Sequence, residues 1–418
     1  MFMNYVQIIL KRSIPMKPLV STLIFLSTAT GALAQADYSY NAMIETTGLS
    51  ATATTLLAIP DPTPSDRFAL GGVRFLAAIE TALQTRYRTG MSGSLTMMAD
   101  LPILRLTIPE NPNPEPFDPA IIEQMFLAVT TDLDGAIAAL DGIGDDDPVS
   151  VIIDTGYIWF DINMNATRDD GEGLAEVAGF FLSGGFDASP GNVTIRFDTS
   201  DAAWLSAYAH FLSGVSETLL AFSPTDSIAR IHDATAQMQA LSPVVMDPSN
   251  YLDLSQFGEV ADLVAIVVGA LEQQPDATHT RAAHAHFLSM IADNRTFWAR
   301  VATETDNDAE WIPNKNQQSA LPIPFPADTG ARWQAVLSDA EAVLNGEQLI
   351  PHWRLGEGAG VNLARLFQDP PVLDVIGLVQ GVTLVPYMEH GLLMDGTSLT
   401  MFDQLMQGDA GLFMVILN

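Results

Sequence analysis

Between residues 66 and 87, Val73, Leu76, Ile79, Leu83 and Tyr87 recur at steps of three and four, the period at which one helix face meets a core. Ser65 or Asp66 is placed to cap the start of that helix. The same period runs through 119–140 as Ile122, Phe126, Val129, Leu133, Ile137 and Leu140, behind an Asp118 cap and with Pro119 in the first turn. A third helix, from about 201, carries Trp204, Tyr208, Phe211, Val215 and Leu219. Further helices are predicted at about 225–241, 255–273, 278–304, 330–345, 361–369 and 398–407. Apolar stripes of this kind are core faces.

Proline clusters at 108–119, 241–250 and 312–330 cannot continue a helix and read as extended connectors. The stretch 148–200 breaks the helical pattern. There "VSVIIDTGYIWFDIN" and "NVTIRFD" have the β-branched and aromatic density of strands, with Thr155-Gly156 as a hairpin turn. The expected fold is mainly α: a multi-helix, bundle-like array with a small embedded antiparallel β element around 148–200. Its parts would be a signal peptide at 1–34, a helical part at 35–147, the β element at 148–200 and a helical part at 201–418, the two helical parts packing as one large domain.

Composition narrows the compartment and the chemistry. The 418 residues are 48% hydrophobic and 16% charged, enough apolar material for a substantial core. From Met16 the chain reads "MKPLVSTLIFLSTATGALAQA": the cation Lys17, a short apolar run, then small residues at Ala32 and Ala34. That is the pattern of an export signal cut near Ala34, which places the mature chain in the periplasm or outside the cell. No later apolar segment is long enough to span a bilayer, so no stable membrane insertion of the mature chain is expected. The absence of cysteine excludes disulfides, thiol nucleophiles and cysteinyl metal sites. Removing the leader takes away three cations and no acids, so the net charge moves from −32 to −35. Such a surface repels nucleic acid and anionic lipid and attracts divalent cations. Lys315 is the only lysine beyond residue 34, and its setting, "IPNKNQQ", supplies neither a phosphate loop nor a Ser-x-x-Lys acyl-transfer motif.

The most chemically loaded stretch is "FDINMNATRDDGEG", residues 160–173. Calcium takes six to eight oxygen ligands, and a twelve-residue loop offers them from positions 1, 3, 5, 7, 9 and 12. Counted from Asp161, these are Asp161, Asn163, Asn165, the backbone carbonyl of Thr167, Asp169 and a closing Glu172. Over this dozen residues the chain resembles the EF-hand and dockerin type of calcium loop. Two positions depart from that pattern: Ala166 stands where the sharp turn favours glycine, and Arg168 where an apolar residue normally pairs with a sister loop. A strand–loop–helix setting is expected, with Leu174, Val177 and Phe181 on the following helix. Two neutral Asn ligands place the affinity in the weak extracellular class, roughly 10⁻⁴ to 10⁻³ M. A metal-free Asx-rich turn joining strand to helix is the competing interpretation.

Other polar groupings are weaker. His279, His286, Ser289, Asp293, Thr296 and Arg300 form a heptad stripe along 278–304. His286 and Asp293 are two turns apart and cannot share a metal unaided, so the stripe reads as an exposed face. His284 falls on a different side from His286. Ser206, His210, Ser213 and Glu217 form a similar stripe opposite Trp204 and Phe211, where His210 and Glu217 could bracket a site. In the C-terminal third, His352, Trp353, Arg354 and Glu357 lie in a glycine-rich segment, and Glu389, His390 and Asp395 follow. Two functions emerge: an exported acidic helical protein with a structural calcium loop that binds or scaffolds, or a hydrolase using His352, Glu389 or His390. The second requires those side chains to converge.

Overall fold

The computed structural model describes residues 31–91, 103–104, 106–182, 192–241, 258–321, 328–397 and 400. The expected leader up to residue 30 and nearly all of the helix expected at 398–407 lie outside them. The fold is mainly α with small strand pairs, as the periodicity predicts. Its helices are α1 (Gly31–Leu57), α2 (Pro64–Arg88), α3 (Ala120–Leu140), α4 (Leu174–Leu182), α5 (Thr199–Ala221), α6 (Thr225–Leu241), α7 (Gly258–Leu271), α8 (Ala277–Val301), α9 (Thr329–Leu344), α10 (Leu363–Gln368) and α11 (Val375–Gln380).

The stripes read from the sequence are the buried faces. On α3, Phe126, Val129, Leu133, Ile137 and Leu140 are all buried, and α2 places Val73 and Leu83 against them. Each such side chain contributes about 1.5–3 kcal/mol on leaving water. α3 packs in turn on α5, and α5 on α8, so one hydrophobic core takes residues from Tyr40 to Leu321 and draws on all three parts expected from the sequence. Among the described residues, no helix is long and apolar enough to cross a membrane.

Helix starts follow capping chemistry, with one correction. Thr63, not Ser65 or Asp66, is the N-cap of α2: its hydroxyl accepts from the Asp66 N–H while the Asp66 carboxylate accepts from Thr63 N–H. Asp118 accepts the Ala120 N–H at 3.0 Å and so supports α3 as expected.

The β element also needs correcting. Strand β1 (Val151–Asp154) pairs antiparallel with β2 (Thr194–Phe197), Val151 opposite Phe197 and Asp154 opposite Thr194. Thr155-Gly156 therefore makes no hairpin turn. Asp154 Oδ1 accepts the Gly156 N–H at 2.8 Å and winds Thr155–Tyr157 into a 3₁₀ turn, which sends the chain out of the ribbon. The free edge of β1 is covered by α1: Asn41 donates to the Ile152 carbonyl at 2.8 Å and accepts the Asp154 N–H at 3.0 Å. α1 itself is interrupted at Gly48, whose φ of +75° suits glycine alone, and the ring of Trp159 packs against that break. Two smaller pairs complete the described strands: β3 (Gln348–Leu349) parallel to β6 (Leu392–Leu393), and β4 (Ala359–Val361) antiparallel to β5 (Met388–His390).

Candidate functional site

Residues 158–160 and 172–174 come together as the base of the loop. Phe160 N–H donates to the Glu172 carbonyl at 2.8 Å and Leu174 N–H to the Ile158 carbonyl at 3.0 Å, with a bridge between Trp159 and Gly173. Trp159, Phe160 and Ile162 are fully buried, so the aromatic run anchors the loop to the core and α4 leaves from its other end.

Within the loop Asn163 and Asn165 turn toward Asp169, while Asp161 and Glu172 turn to backbone N–H groups of the loop. Asp161 accepts from the N–H groups of Asn165 and Ala166 at 2.9 and 3.0 Å. Glu172, itself buried, reaches back to the N–H groups of Ile162, Asn163 and Asp169 at 3.0, 3.2 and 2.9 Å. The side-chain amides of Asn163 and Asn165 both donate to Asp169 Oδ2, at 2.7 and 2.6 Å. Asn163 Oδ1 accepts Asn165 N–H and keeps a second lone pair, whereas Asn165 Oδ1 accepts both the N–H and the hydroxyl of Thr167. Ala166 adopts φ +59°, the left-handed conformation for which glycine is favoured at that position, and Met164 adopts +62°. Arg168 donates to the Gly156 carbonyl at 2.8 Å, tying the outer turn to the 3₁₀ segment.

α2 grips the loop from below. Glu80 accepts the Asp161 N–H at 2.7 Å and Gln84 donates to the Asp161 carbonyl at 2.8 Å. Burial, reinforced by the nearby Asp161 and Glu172 carboxylates, pushes Glu80 up to about 7, although its bond from the Asp161 N–H opposes the rise. Burial likewise raises Glu172. Acids are thus concentrated where a cation would relieve them.

The C-terminal candidates do not assemble. Glu389 accepts from Asn362 at 2.6 Å and pairs with Arg365 at 3.6 Å. His390 is exposed and lies 3.2 Å from the Gly358 carbonyl. His352 stacks near Trp353 and its Nδ1 accepts the Arg354 N–H at 3.3 Å. No hydrogen bond or ion pair joins any two of His352, Glu389 and His390 among the described residues. Neighbours on one strand point to opposite faces, which separates Glu389 from His390.

The stripe on α8, expected as an exposed face, is instead paired with the stripe on α5. Ser206 donates to Asp293 at 2.7 Å, His210 Nδ1 lies 2.8 Å from His286 Nδ1, and His279 Nδ1 lies 2.6 Å from Glu217. Ascending positions on α5 meet descending ones on α8, so the helices run antiparallel and two stripes that each look solvated close on one another. Burial drives His210 down to about 4 and lowers His286 as well. His284, on the other side, stacks on Phe367.

A further acidic grouping escaped the sequence reading because it is assembled from distant segments. Carboxylate oxygens of Asp198, Glu304 and Glu310 lie within 4.8 Å of one another, an arrangement able to hold a cation. Glu304 is bound by the Ser200 hydroxyl and by Gln317 at 3.2 Å, and Glu310 accepts the Asp308 N–H at 2.8 Å. Burial raises both. No protein-family model, curated protein or solved structure matches this chain.

Proposed function

We propose that residues 161–172 bind one calcium ion, and that this ion is structural, locking the β1–β2 ribbon to α2 and α4 in an exported, acidic, mainly helical protein that works by binding or scaffolding. The observation that carries this reading is a loop closed on its own polar groups, in which Asn163 and Asn165 both reach Asp169 and Asp161 and Glu172 fold back on loop N–H groups, with Ala166 in a left-handed turn. Asp161 and Glu172 supply charge and Asn163 and Asn165 supply neutral oxygens. Thr167 contributes its backbone carbonyl, and Asp169 binds directly or through water. The loop's base and its grip by Glu80 and Gln84 make ion binding and packing of the ribbon one event.

Catalysis through His352, Glu389 or His390 is the reading the geometry favours less, because Glu389 is already engaged by Asn362 and Arg365. Thermal unfolding in millimolar calcium and in chelator tests the proposal. A ligand that binds only the native state raises Tm, and with about 1 mM calcium and a Kd of roughly 10⁻⁴ to 10⁻³ M the gain is about 0.4–1.4 kcal/mol. An identical Tm in both would reject it.

A further inference from the structure

A cavity of about 400 Å³ lies between the end of α8, the 313–317 turn and the start of α9. Its volume falls in the roughly 300–1,000 Å³ range of small-molecule sites. Trp298 and Val301 of α8, with Pro313, give it an apolar wall, and Lys315, exposed and the only lysine beyond residue 34, stands on its rim. In a chain with 50 acids, no Asp or Glu lines this cavity among the described residues. The acids that flank it are engaged: Asp328 pairs with Arg332 at 2.8 Å, and Glu304 is bound by Ser200 and Gln317. Three of the lining residues carry a buried polar atom with no hydrogen-bond partner among the described residues: Trp298 Nε1, Thr329 Oγ1 and Gln334 Nε2. Buried polar groups are normally satisfied, so three around one cavity point to a ligand. Two are N–H donors and the third is a hydroxyl that can donate, so that ligand must offer acceptors. Thr329, only 2% exposed, opens α9, whose N-cap Asp328 makes no side-chain capping bond. The uncapped first turn of this 16-residue helix, Thr329 to Ala331, lines the cavity with its N–H groups and the positive end of the helix dipole. Gly330 lets that turn lie close against the indole, since a Cβ there would stand 2.7 Å from the Trp298 ring.

We propose that this cavity binds a small organic monocarboxylate, its anionic head received by Lys315, the Thr329 hydroxyl and the start of α9, and its apolar body by Trp298, Val301 and Pro313. Anion binding at a helix N-terminus follows from the orphan N–H groups and the dipole together. The volume and the apolar wall suit a ligand with a carbon body, which an inorganic oxyanion lacks. One cation matches the single charge of a monocarboxylate, whereas a phosphate ester brings about −1.5 to −2. The acidic surface elsewhere repels anions, so this one carboxylate-free recess selects them locally. The site shares no residue with the 161–172 loop and does not rest on calcium binding.

The test is titration of the full chain with 3-phenylpropionate, 3-phenylpropanol and inorganic phosphate, followed by NMR of the Trp298 indole N–H, which is assigned by its loss in Trp298→Phe. The carboxylate should shift that resonance saturably. The alcohol and the phosphate should each bind about tenfold or more weaker, because one lacks the charge and the other the carbon body. Lys315→Gln, at an exposed position that folding tolerates, should weaken carboxylate binding roughly 10- to 100-fold, the weight of a charged hydrogen bond. Thr329→Val keeps the side-chain shape and should weaken it in the same direction. Arg281→Gln removes the same charge from an exposed position elsewhere and should bind like the unaltered chain, which separates local recognition from net charge. These readings are made without calcium, so the two proposals fail separately. The absence of a saturable shift at millimolar 3-phenylpropionate, a preference for the alcohol or for phosphate, or equal affinity in Lys315→Gln would overturn the proposal.

Discussion

Glu80 accepts the backbone N–H of Asp161 at 2.7 Å, while one turn further along α2 Gln84 donates to the carbonyl of that residue at 2.8 Å. The first residue of the loop is therefore held on both of its peptide groups by one helix. Truncating Glu80 to Ala leaves that N–H without its partner, at a cost of about 1–3 kcal/mol. Gln84→Ala should cost less, because a carbonyl with two lone pairs is more easily satisfied by water. Urea unfolding of the two variants measures both, and equal stability to the unaltered chain would show that α2 does not grip the loop.

Backbone strain inside the loop gives a paired expectation. Ala166 sits at φ +59°, so Ala166→Gly relieves a left-handed alanine and should gain up to about 1 kcal/mol after the entropy of a more flexible unfolded chain is subtracted. Gly171, at φ +90° with open space around it, should lose about 1–2 kcal/mol on substitution by Ala, through conformation and not through collision. Opposite signs at two positions in one loop, measured by thermal melting, distinguish strain from crowding.

The edge of β1 depends on one side chain. Asn41 satisfies both the Ile152 carbonyl and the Asp154 N–H. Asn41→Ala leaves both peptide groups unpaired under α1 and should destabilise by about 1–3 kcal/mol. Amide exchange at Asp154 should accelerate in the variant more than exchange in α3. Uniform acceleration would assign the effect to global stability alone.

Buried acids make stability depend on pH with a definite sign. Asp201 is held well above the ordinary carboxylate range by burial and then by repulsion from Asp198. Glu304 and Glu310 are raised in the same direction, by burial first. Each binds a proton in the native state that the unfolded chain has released, so stability is lost as pH climbs above the unfolded values near 4. His210 and His286 act oppositely, losing stability as pH falls below about 6.5. Comparing Glu310→Gln with the unaltered chain cancels the histidines. The variant should gain relative stability from pH 5 to pH 8, read as Tm, and a gain that shrinks with pH would contradict the assignment.

How far the sequence carried the description is clearest at particular elements. α3 was legible because Ile122 through Leu140 keep one phase over the helix, and that face is the one buried. α1 was not, because Tyr40 and Ile44 are in phase but the break at Gly48 shifts Leu49 and Leu56 onto a new one. β1 was legible as a strand from Val151, Ile152 and Ile153, but its partner lies some forty residues away, beyond what local turn signals report. The polar cluster of the 161–172 loop was readable because its hydrogen bonds, such as those from Asn163 and Asn165 to Asp169, are local in the chain. The His210 and His286 pair was invisible in either helix alone, since a polar stripe facing another polar stripe has the same pattern as one facing water.

Terbium luminescence excited through tryptophan tests the calcium loop most directly, since Trp159 lies beside its base. Terbium(III) in the loop should emit on indole excitation, and calcium at roughly 10⁻⁴ to 10⁻³ M should displace it. Glu172→Gln should abolish most of that calcium-sensitive emission. Equal, calcium-insensitive emission from the unaltered and Glu172→Gln proteins would contradict the account, because the acidic surface alone would then explain the binding.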